Sequence, residues 1–293
     1  HIDTFYGFLM KENIGYVDEK SIKHETEFCT NSSHKCLTRF YGLIKESDRV
    51  KGFVYEFMSN ETLKKLIEKR NGQIGQLFIW KSLLRISKGI EYLHSHNLIH
   101  RDIKPSNILI NNNEKVFISD FETIKSKDMS EENEMTQNIG SFIYSSPEQM
   151  NGREVGFPTD IYSLGQIMFF LIEKKDMYDT KDIYLIADLK AKSYVPKMEN
   201  APKEISNLII QCVNSDPKER PTIDIIKGYI YYSIGKSYLE EKNTSKAKKY
   251  FELSKQLNNS YGFYGLGQLY LEGNGCEQDK KKGKEYIEKS IDL

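Results

Sequence analysis

Apolar residues in the middle of the chain recur with a helical period. Between residues 79 and 95 they follow one another at steps of four, three, four and three, at Ile79, Leu83, Ile86, Ile90 and Leu93. Because this spacing puts them on one face of an α-helix, the pattern predicts a helix over residues 79–95 that buries that face. Residues 161–172 are almost entirely apolar but include Ser163 and Gly165. They favour a buried core helix over a membrane anchor.

The N-terminal part carries shorter runs of residues that favour β-structure. Residues 4–11 are rich in aromatic and aliphatic side chains, end in Lys11 and are predicted to form one strand. A helix is predicted to start after Ser21, a possible N-cap. Residues 36–44 and 50–58 are predicted to be two strands of a hairpin with a polar turn between them.

Composition narrows the classes of function. Lys and Arg number 42 and Asp and Glu number 42, so the formal net charge is zero. We therefore expect no nucleic-acid partner and no membrane partner. Four cysteines without paired C-x-x-C spacing argue against a zinc site or a disulfide framework. They favour a reducing compartment, so a cytoplasmic location is expected.

The residue types needed for phosphoryl transfer cluster in one short stretch. Asp102 offers a carboxylate to orient a hydroxyl, and Lys104 offers a cation for a moving phosphoryl group. Asn107 and Asp120 offer the oxygen ligands that Mg²⁺ prefers. The tripeptide at residues 100–102 alone would suit an ordinary surface turn. The whole set favours a catalytic loop between two apolar strands.

This stretch closely resembles the catalytic loop and metal-binding strand of the eukaryotic protein kinases. Residues 100–107 read His-Arg-Asp-Ile-Lys-Pro-Ser-Asn, and residues 120–122 read Asp-Phe-Glu. Glu122 stands where the family pattern has glycine. Lys104, two places after Asp102, matches the serine/threonine branch of the family better than the tyrosine branch.

Later landmarks extend the resemblance over about three quarters of the chain. Residues 146–148, Ser-Pro-Glu, resemble the A-P-E motif that closes the activation segment of kinases. Asp160 resembles the buried acid that ties down the backbone of the catalytic loop. Arg220 resembles the late arginine that pairs with the glutamate of A-P-E, here Glu148.

The resemblance implies an α+β fold, a two-lobed protein-kinase-like domain over residues 1–228. Its N-lobe would cover about residues 1–58 and its C-lobe about residues 59–228. The implied cofactors are ATP and Mg²⁺, and the implied substrates are proteins. Asp102 would orient the acceptor hydroxyl and Lys104 would steady the phosphoryl group, while Asn107 and Asp120 would hold Mg²⁺.

The resemblance also implies which residues contact the nucleotide. Five positions are candidates: Lys11, Glu25, Glu56, Met58 and Leu109. Lys11 would hold the α- and β-phosphates and pair with Glu25, for which Glu27 is a rival. The backbone from Glu56 to Met58 would receive the adenine edge. The glycine-rich hairpin of the family does not precede Lys11, so it either lies before His1 or is lacking.

The last part of the chain contains an internal echo. Residues 234–240, Ile-Gly-Lys-Ser-Tyr-Leu-Glu, return 32 positions later as Leu-Gly-Gln-Leu-Tyr-Leu-Glu. A period of this length is typical of stacked helix pairs. Residues 229–293 resemble two Sel-like repeats, an all-α unit related to tetratricopeptide repeats, with second helices at residues 246–257 and 282–291. Two unrelated amphipathic helices are the alternative.

Together these features predict a protein serine/threonine kinase that transfers the γ-phosphoryl group of ATP to protein hydroxyls. Its repeat tail is expected to bind a partner protein. The alternative is a pseudokinase scaffold that binds partners without catalysis. Glu122 and the missing glycine-rich hairpin favour the scaffold, and the intact Asp102, Lys104, Asn107 and Asp120 favour the enzyme.

Overall fold

The computed structural model describes residues 2–5, 8–12, 26–46, 49–58, 61–126 and 139–293. Its first unit is an antiparallel sheet with strand order β1-β2-β4-β3. The strands are β1 (Ile2–Phe5), β2 (Phe8–Glu12), β3 (Phe40–Glu46) and β4 (Arg49–Glu56).

The predicted single strand over residues 4–11 is wrong. Phe5 of β1 lies opposite Phe8 of β2, so the chain reverses direction between them. A run of aromatic residues favours β-structure without marking where a hairpin turns. The predicted hairpin over residues 36–58 is confirmed as β3 and β4, although β3 begins at Phe40. Its turn, residues 47–48, lies outside the described residues.

A helical segment, α1 (residues 26–31), lies between β2 and β3 in the chain. Its Phe28 and Cys29 are buried, and the Phe28 ring lies 5.0 Å from the ring of Phe121. The predicted helix start at Ser21 lies outside the described residues. Helix α1 therefore packs directly against the segment that follows the candidate catalytic loop.

Helices form most of the middle of the chain, and two short antiparallel strand pairs, β5 with β8 and β6 with β7, lie among them. The strands are β5 (Leu98–Ile99), β6 (Ile108–Ile110), β7 (Val116–Ile118) and β8 (Lys125–Ser126). The helices are α2 (Leu63–Lys69), α3 (Gln76–Ser95), α4 (Ile139–Tyr144), α5 (Pro147–Met150), α6 (Pro158–Glu173), α7 (Ile183–Ala191) and α8 (Lys203–Cys212).

Two predicted helices are confirmed as the centre of the core. Helix α3 buries all five residues of the predicted apolar face. Helix α6 is buried at every residue after Pro158. At Gly165 the backbone of α6 lies so close to α8 that an added Cβ would clash with Cys212 and come within 3.1 Å of Val213. In the described part of the chain, no helix is long and apolar enough to span a membrane.

Four helices complete the chain: α9 (Ile223–Glu240), α10 (Thr244–Gln256), α11 (Ser260–Glu272) and α12 (Lys280–Asp292). Each packs against the next, and α9 also packs against α3. The predicted domain boundary at residues 228 and 229 lies inside α9.

Small residues let these last helices approach closely. A Cβ at Gly265 of α11 would lie 2.8 Å from the Phe251 ring of α10, and Gly235 of α9 faces the same ring. Gly267, which matches Gly235 in the internal echo, faces Ile287 of α12 at 2.7 Å. The echoed glycine therefore marks, in both copies, the place where a helix contacts its successor.

Candidate active site

The loop between β5 and β6 brings three predicted site residues together. Lys104 Nζ donates a hydrogen bond to Asp102 Oδ2 at 2.6 Å. Asn107 Nδ2 donates to the same oxygen and to the backbone carbonyl of Asp102, both at 2.9 Å. A short 3₁₀ turn, Pro105–Asn107, makes this possible because it folds the amide back toward Asp102. The Asp102 carboxylate is thus held by two donors.

Asp160, at the start of α6, fixes the backbone of this loop. Its side chain is 0% exposed and accepts hydrogen bonds from the backbone N–H groups of His100 and Arg101, both at 3.0 Å. His94 Nε2 lies 2.8 Å from the same carboxylate. Burial would raise the pKa of Asp160, but these partners hold it below its ordinary value. The role predicted for Asp160 is confirmed by these contacts.

The backbone is strained on both sides of the candidate site. Arg101 has a φ of 71° and Asp120 a φ of 67°. Both angles lie in the left-handed region, which residues other than glycine seldom adopt. Such conformations persist only where the surrounding contacts enforce them, and they cluster at functional sites. Here the hydrogen bonds to Asp160 enforce the conformation at Arg101.

Asp120 follows β7, which pairs with β6 directly after Asn107. Ile108 lies opposite Ile118 in this pair. The backbone N–H and the hydroxyl of Ser119 donate to the carbonyl of Asn107, at 2.9 and 2.8 Å. The residues at positions 107 and 119 are therefore fixed to each other, and Asp120 follows immediately.

These two positions fit the chemistry of Mg²⁺ bound with a nucleotide. Since Nδ2 of Asn107 is used on Asp102, the amide oxygen remains as its possible metal ligand. Mg²⁺ typically takes one or two protein oxygens and fills its other positions with phosphates and water. Among the described residues no cluster of three or more His, Cys, Asp or Glu side chains could hold a metal by itself.

The residues after Asp120 anchor this strand in the core. The buried ring of Phe121 lies 6.4 Å from the ring of Tyr55 and 5.7 Å from that of His100. Glu122 lies in a turn closed by a hydrogen bond from Ile124 N–H to the Phe121 carbonyl. Its φ is not in the left-handed region. The backbone at Glu122 therefore does not require glycine.

The described candidate nucleotide residues lie in β2, at and just after the end of β4, and in β6. Glu56 ends β4, Met58 is buried two residues later, and Leu109 of β6 forms a bridge with Thr62. Lys11 of β2 lies opposite Phe53 of β4, but its side chain is outside the described part of the structure. Glu25 also lies outside the described residues. The rival Glu27 is exposed on α1.

Two side chains that the sequence did not single out also hold the loop. Gln149 Nε2 donates to the carbonyl of Arg101 at 2.8 Å. The Thr123 hydroxyl donates to the carbonyl of His100 at 2.7 Å. Gln149 could have been noticed, because Ser146 and Gln149 form a capping box at the start of α5. Thr123 has no comparable sequence signal.

The predicted pairing of Arg220 with Glu148 is confirmed. Arg220 donates two hydrogen bonds to the Glu148 carboxylate, at 2.7 and 2.8 Å, and both side chains are buried. The Thr159 hydroxyl donates a third at 2.8 Å. Burial would raise the pKa of Glu148, but its hydrogen bonds with Arg220 lower it below the ordinary value. This pair joins the start of α5 to the loop before α9.

Comparison with known proteins agrees with this geometry. Residues 8–231 match the family model of the protein kinase domain. The chain is 32% identical over 196 residues to a probable LIM domain-containing serine/threonine-protein kinase of Dictyostelium discoideum, covering 66% of this chain and 29% of that protein. It is 29% identical over 238 residues to the Aurora kinase of Saccharomyces cerevisiae, covering 79% of this chain and 62% of that protein.

The chain is also similar to a bacterial protein. A probable serine/threonine-protein kinase of Clostridium acetobutylicum is 34% identical over 172 residues, covering 57% of this chain and 26% of that protein. The chain thus spans less than two thirds of each of these three relatives. Because the kinase family model matches well over half of its residues, the chain belongs to the protein kinase family.

Proposed function

We propose that this chain is a protein serine/threonine kinase that transfers the γ-phosphoryl group of ATP to hydroxyls of proteins. The observation that carries the proposal is the Asp102 carboxylate, held by Lys104 Nζ at 2.6 Å and by Asn107 Nδ2 at 2.9 Å. A fixed carboxylate next to a cation suits the orientation of an attacking hydroxyl and the control of charge on a moving phosphoryl group.

Each residue of the loop has a proposed role. Asp102 orients the acceptor hydroxyl and accepts its proton, and Lys104 offsets the negative charge beside it. Asn107 and Asp120 would hold Mg²⁺ through their side-chain oxygens. Mg²⁺ and ATP supply the phosphoryl group and the charge neutralisation that its transfer requires.

The proposed nucleotide contacts come from β2, from the end of β4, from β6 and from Glu25. Lys11 and Glu25 are proposed as the pair that holds the α- and β-phosphates. The backbone of Glu56 and Met58 is proposed to receive the adenine edge, with Leu109 beneath the ring. The buried position of Met58 and the bridge between Leu109 and Thr62 support this arrangement. A cytoplasmic location stays a prediction.

A transfer assay tests the proposed activity. The full chain is incubated with Mg²⁺, ATP labelled at the γ-phosphate and a mixture of unphosphorylated proteins. We expect label on serine and threonine, and no labelling when EDTA is present from the start of the reaction. A folded chain that transfers no label, even when it binds Mg-ATP, would contradict the enzyme and support the scaffold. Glu122 favours the scaffold. Its carboxylate lies two residues from Asp120 in the chain and would add negative charge near the place proposed for the phosphates.

Mg-ATP should stabilise the fold. Ligand at about a hundred times its Kd stabilises by about 2.7 kcal/mol, which in a domain of this size raises Tm by about 5 °C or more. We expect this shift with millimolar Mg-ATP, and we expect EDTA to reduce it. It is measured by calorimetry or by dye-based melting.

Asp120→Asn should abolish this Mg-ATP shift. Asparagine has the same shape and tolerates the positive φ of position 120, so the backbone can stay in place. Asp188→Asn, an isosteric change at an exposed position of α7, is the matched control and should keep the full shift. An equal shift in Asp120→Asn and the control would contradict the metal role of Asp120.

We propose that residues 229–293 form two Sel-like repeats that bind an acidic segment of a partner protein. The observation that supports this is a Lys–Tyr patch on α10, α11 and α12, formed by Lys248, Lys255, Lys282, Tyr270 and Tyr286. Lys248 and Lys282 lie 5.2 and 4.4 Å from the Tyr270 ring centroid. Within the described part of the chain none of these lysines has a carboxylate at ion-pair distance.

The Lys–Tyr patch therefore combines three ammonium groups that lie outside ion-pair distance of a described carboxylate with flat apolar rings, which suits an acidic peptide. We expect Lys248→Glu together with Lys282→Glu to weaken the binding of a labelled poly-glutamate peptide about tenfold at low salt. Fluorescence anisotropy measures this change. Lys249→Glu with Lys281→Glu is the matched control, since it changes the net charge equally at the neighbouring exposed positions.

The Lys249→Glu, Lys281→Glu variant should bind the peptide more tightly than the Lys248→Glu, Lys282→Glu variant does. Equal weakening in both would mean that only net charge matters and would contradict the patch. Point variants are preferable to deletion of residues 229–293. Most of α9 lies within residues 229–293 and α9 packs against α3, so a deletion would also remove cover from the core.

A further inference from the structure

A lysine is completely buried beneath the segment that leads into α5. The side chain of Lys190, on α7, is 0% exposed. Its ammonium donates to the backbone carbonyl of Phe142 at 2.6 Å and also to that of Ser145. It lies over the rings of Tyr162 and Tyr178, 5.5 and 5.7 Å from their centroids.

This lysine has no ion-pair partner among the described residues. Its charge is met by two carbonyl dipoles and two aromatic faces. Removing an ammonium from water is costly unless such contacts compensate. Burial accordingly lowers the pKa of Lys190 well below its ordinary value, although Glu148 opposes the change. Burying the Lys190 ammonium therefore costs free energy that an exposed lysine would not lose.

The two carbonyls belong to the segment that borders the catalytic loop. Phe142 lies in α4, and Ser145 is followed by Ser146, the N-cap of α5. Gln149 of α5 in turn bonds the carbonyl of Arg101, next to Asp102, at 2.8 Å. Through Gln149, this segment is therefore joined to the backbone beside Asp102, the residue to which a protein substrate would present its hydroxyl.

We propose that Lys190 is a positioning residue that fixes residues 142–146 as a docking edge for the protein substrate. It acts through the backbone carbonyls and touches neither substrate nor cofactor. Its two bonds straddle the end of α4 and hold the chain where it turns into α5. The consequence for substrate rests on the proposed kinase function, whereas the effect on the segment does not.

Hydrogen exchange of the full chain tests the effect on the segment. Lys190→Met keeps most of the aliphatic length and removes the donor. We expect backbone amides within residues 142–150 to exchange about tenfold faster or more, with unchanged exchange in α3 and α6. Lys192→Met, on the exposed side at the end of α7, is the matched control and should exchange like the wild type. Equal exchange in Lys190→Met and the wild type would overturn the proposal.

Peptide kinetics test the consequence for substrate. We expect Lys190→Met to raise KM for a serine peptide about tenfold or more and to leave KM for ATP unchanged, because the nucleotide side of the site is not altered. Faster exchange with an unchanged KM for the peptide would overturn the role in substrate docking. If the wild type transfers no phosphate, the proposed kinase function fails, while the exchange experiment still decides what Lys190 does.

A second variant covers the case in which Lys190→Met does not fold. Lys190→Gln keeps a neutral donor on a shorter side chain that cannot reach both carbonyls. The same faster exchange confined to residues 142–150 is expected. Unfolding of both variants, under conditions where Lys192→Met stays folded, would show a role in the whole domain and would overturn a role specific to this segment.

Discussion

Replacing Asp102 with asparagine is expected to lower the rate of phosphoryl transfer by about two to four orders of magnitude. Asp102 Oδ2 receives hydrogen bonds from Lys104 and Asn107, so its position is fixed by donors that asparagine can also satisfy through its amide oxygen. What the variant loses is the negative charge and the acceptor that would take the proton of the hydroxyl. The rate is measured with labelled ATP under saturating substrate.

The fold should survive this change, because the shape of the side chain is preserved. Asp188→Asn is again the matched control, and it should transfer phosphate at the wild-type rate because position 188 is exposed and its carboxylate pairs with Lys192 and not with a residue of the loop. Both variants should melt within a few degrees of the wild type. Wild-type turnover in Asp102→Asn would contradict the role assigned to this carboxylate.

The contacts within the candidate catalytic loop could be predicted from the sequence because they are local. Asp102, Lys104 and Asn107 lie within six consecutive residues, and the turn between two strands brings them together. Asp160 is different. It contacts His100 from sixty positions away, and only the resemblance to the protein kinases indicated that contact.

Other features depend on tertiary packing and could not be predicted. Nothing in the residues around Lys190 distinguishes it from the exposed Lys192, and only the placement of α7 under α4 buries one of the two. The strand prediction over residues 4–11 failed because β-propensity does not locate a reversal. The predicted domain boundary at residues 228 and 229 falls inside α9, since a helix can continue while the surface it contacts changes.

Breaking the buried ion pair of Arg220 should give the largest loss of stability. Arg220→Met leaves the Glu148 carboxylate in a buried site where, among the described residues, the Thr159 hydroxyl is the one remaining side-chain donor. An uncompensated buried charge costs about 3–5 kcal/mol in the free energy of unfolding. We therefore expect Tm to fall by about 10 °C. Thermal and urea unfolding measure both quantities.

The same substitution at an exposed ion pair provides the control. Arg70 pairs with Glu114 at 2.5 Å, but its side chain is 38% exposed, compared with 0% for Arg220. Since exposed pairs contribute little, Arg70→Met should cost about 1 kcal/mol or less. Adding Glu148→Gln to Arg220→Met should recover part of the lost stability, because it removes the unpaired charge. Equal losses for the two arginine variants, or a further loss in the double variant, would show that the Arg220–Glu148 pair does not fix α5 through its charges.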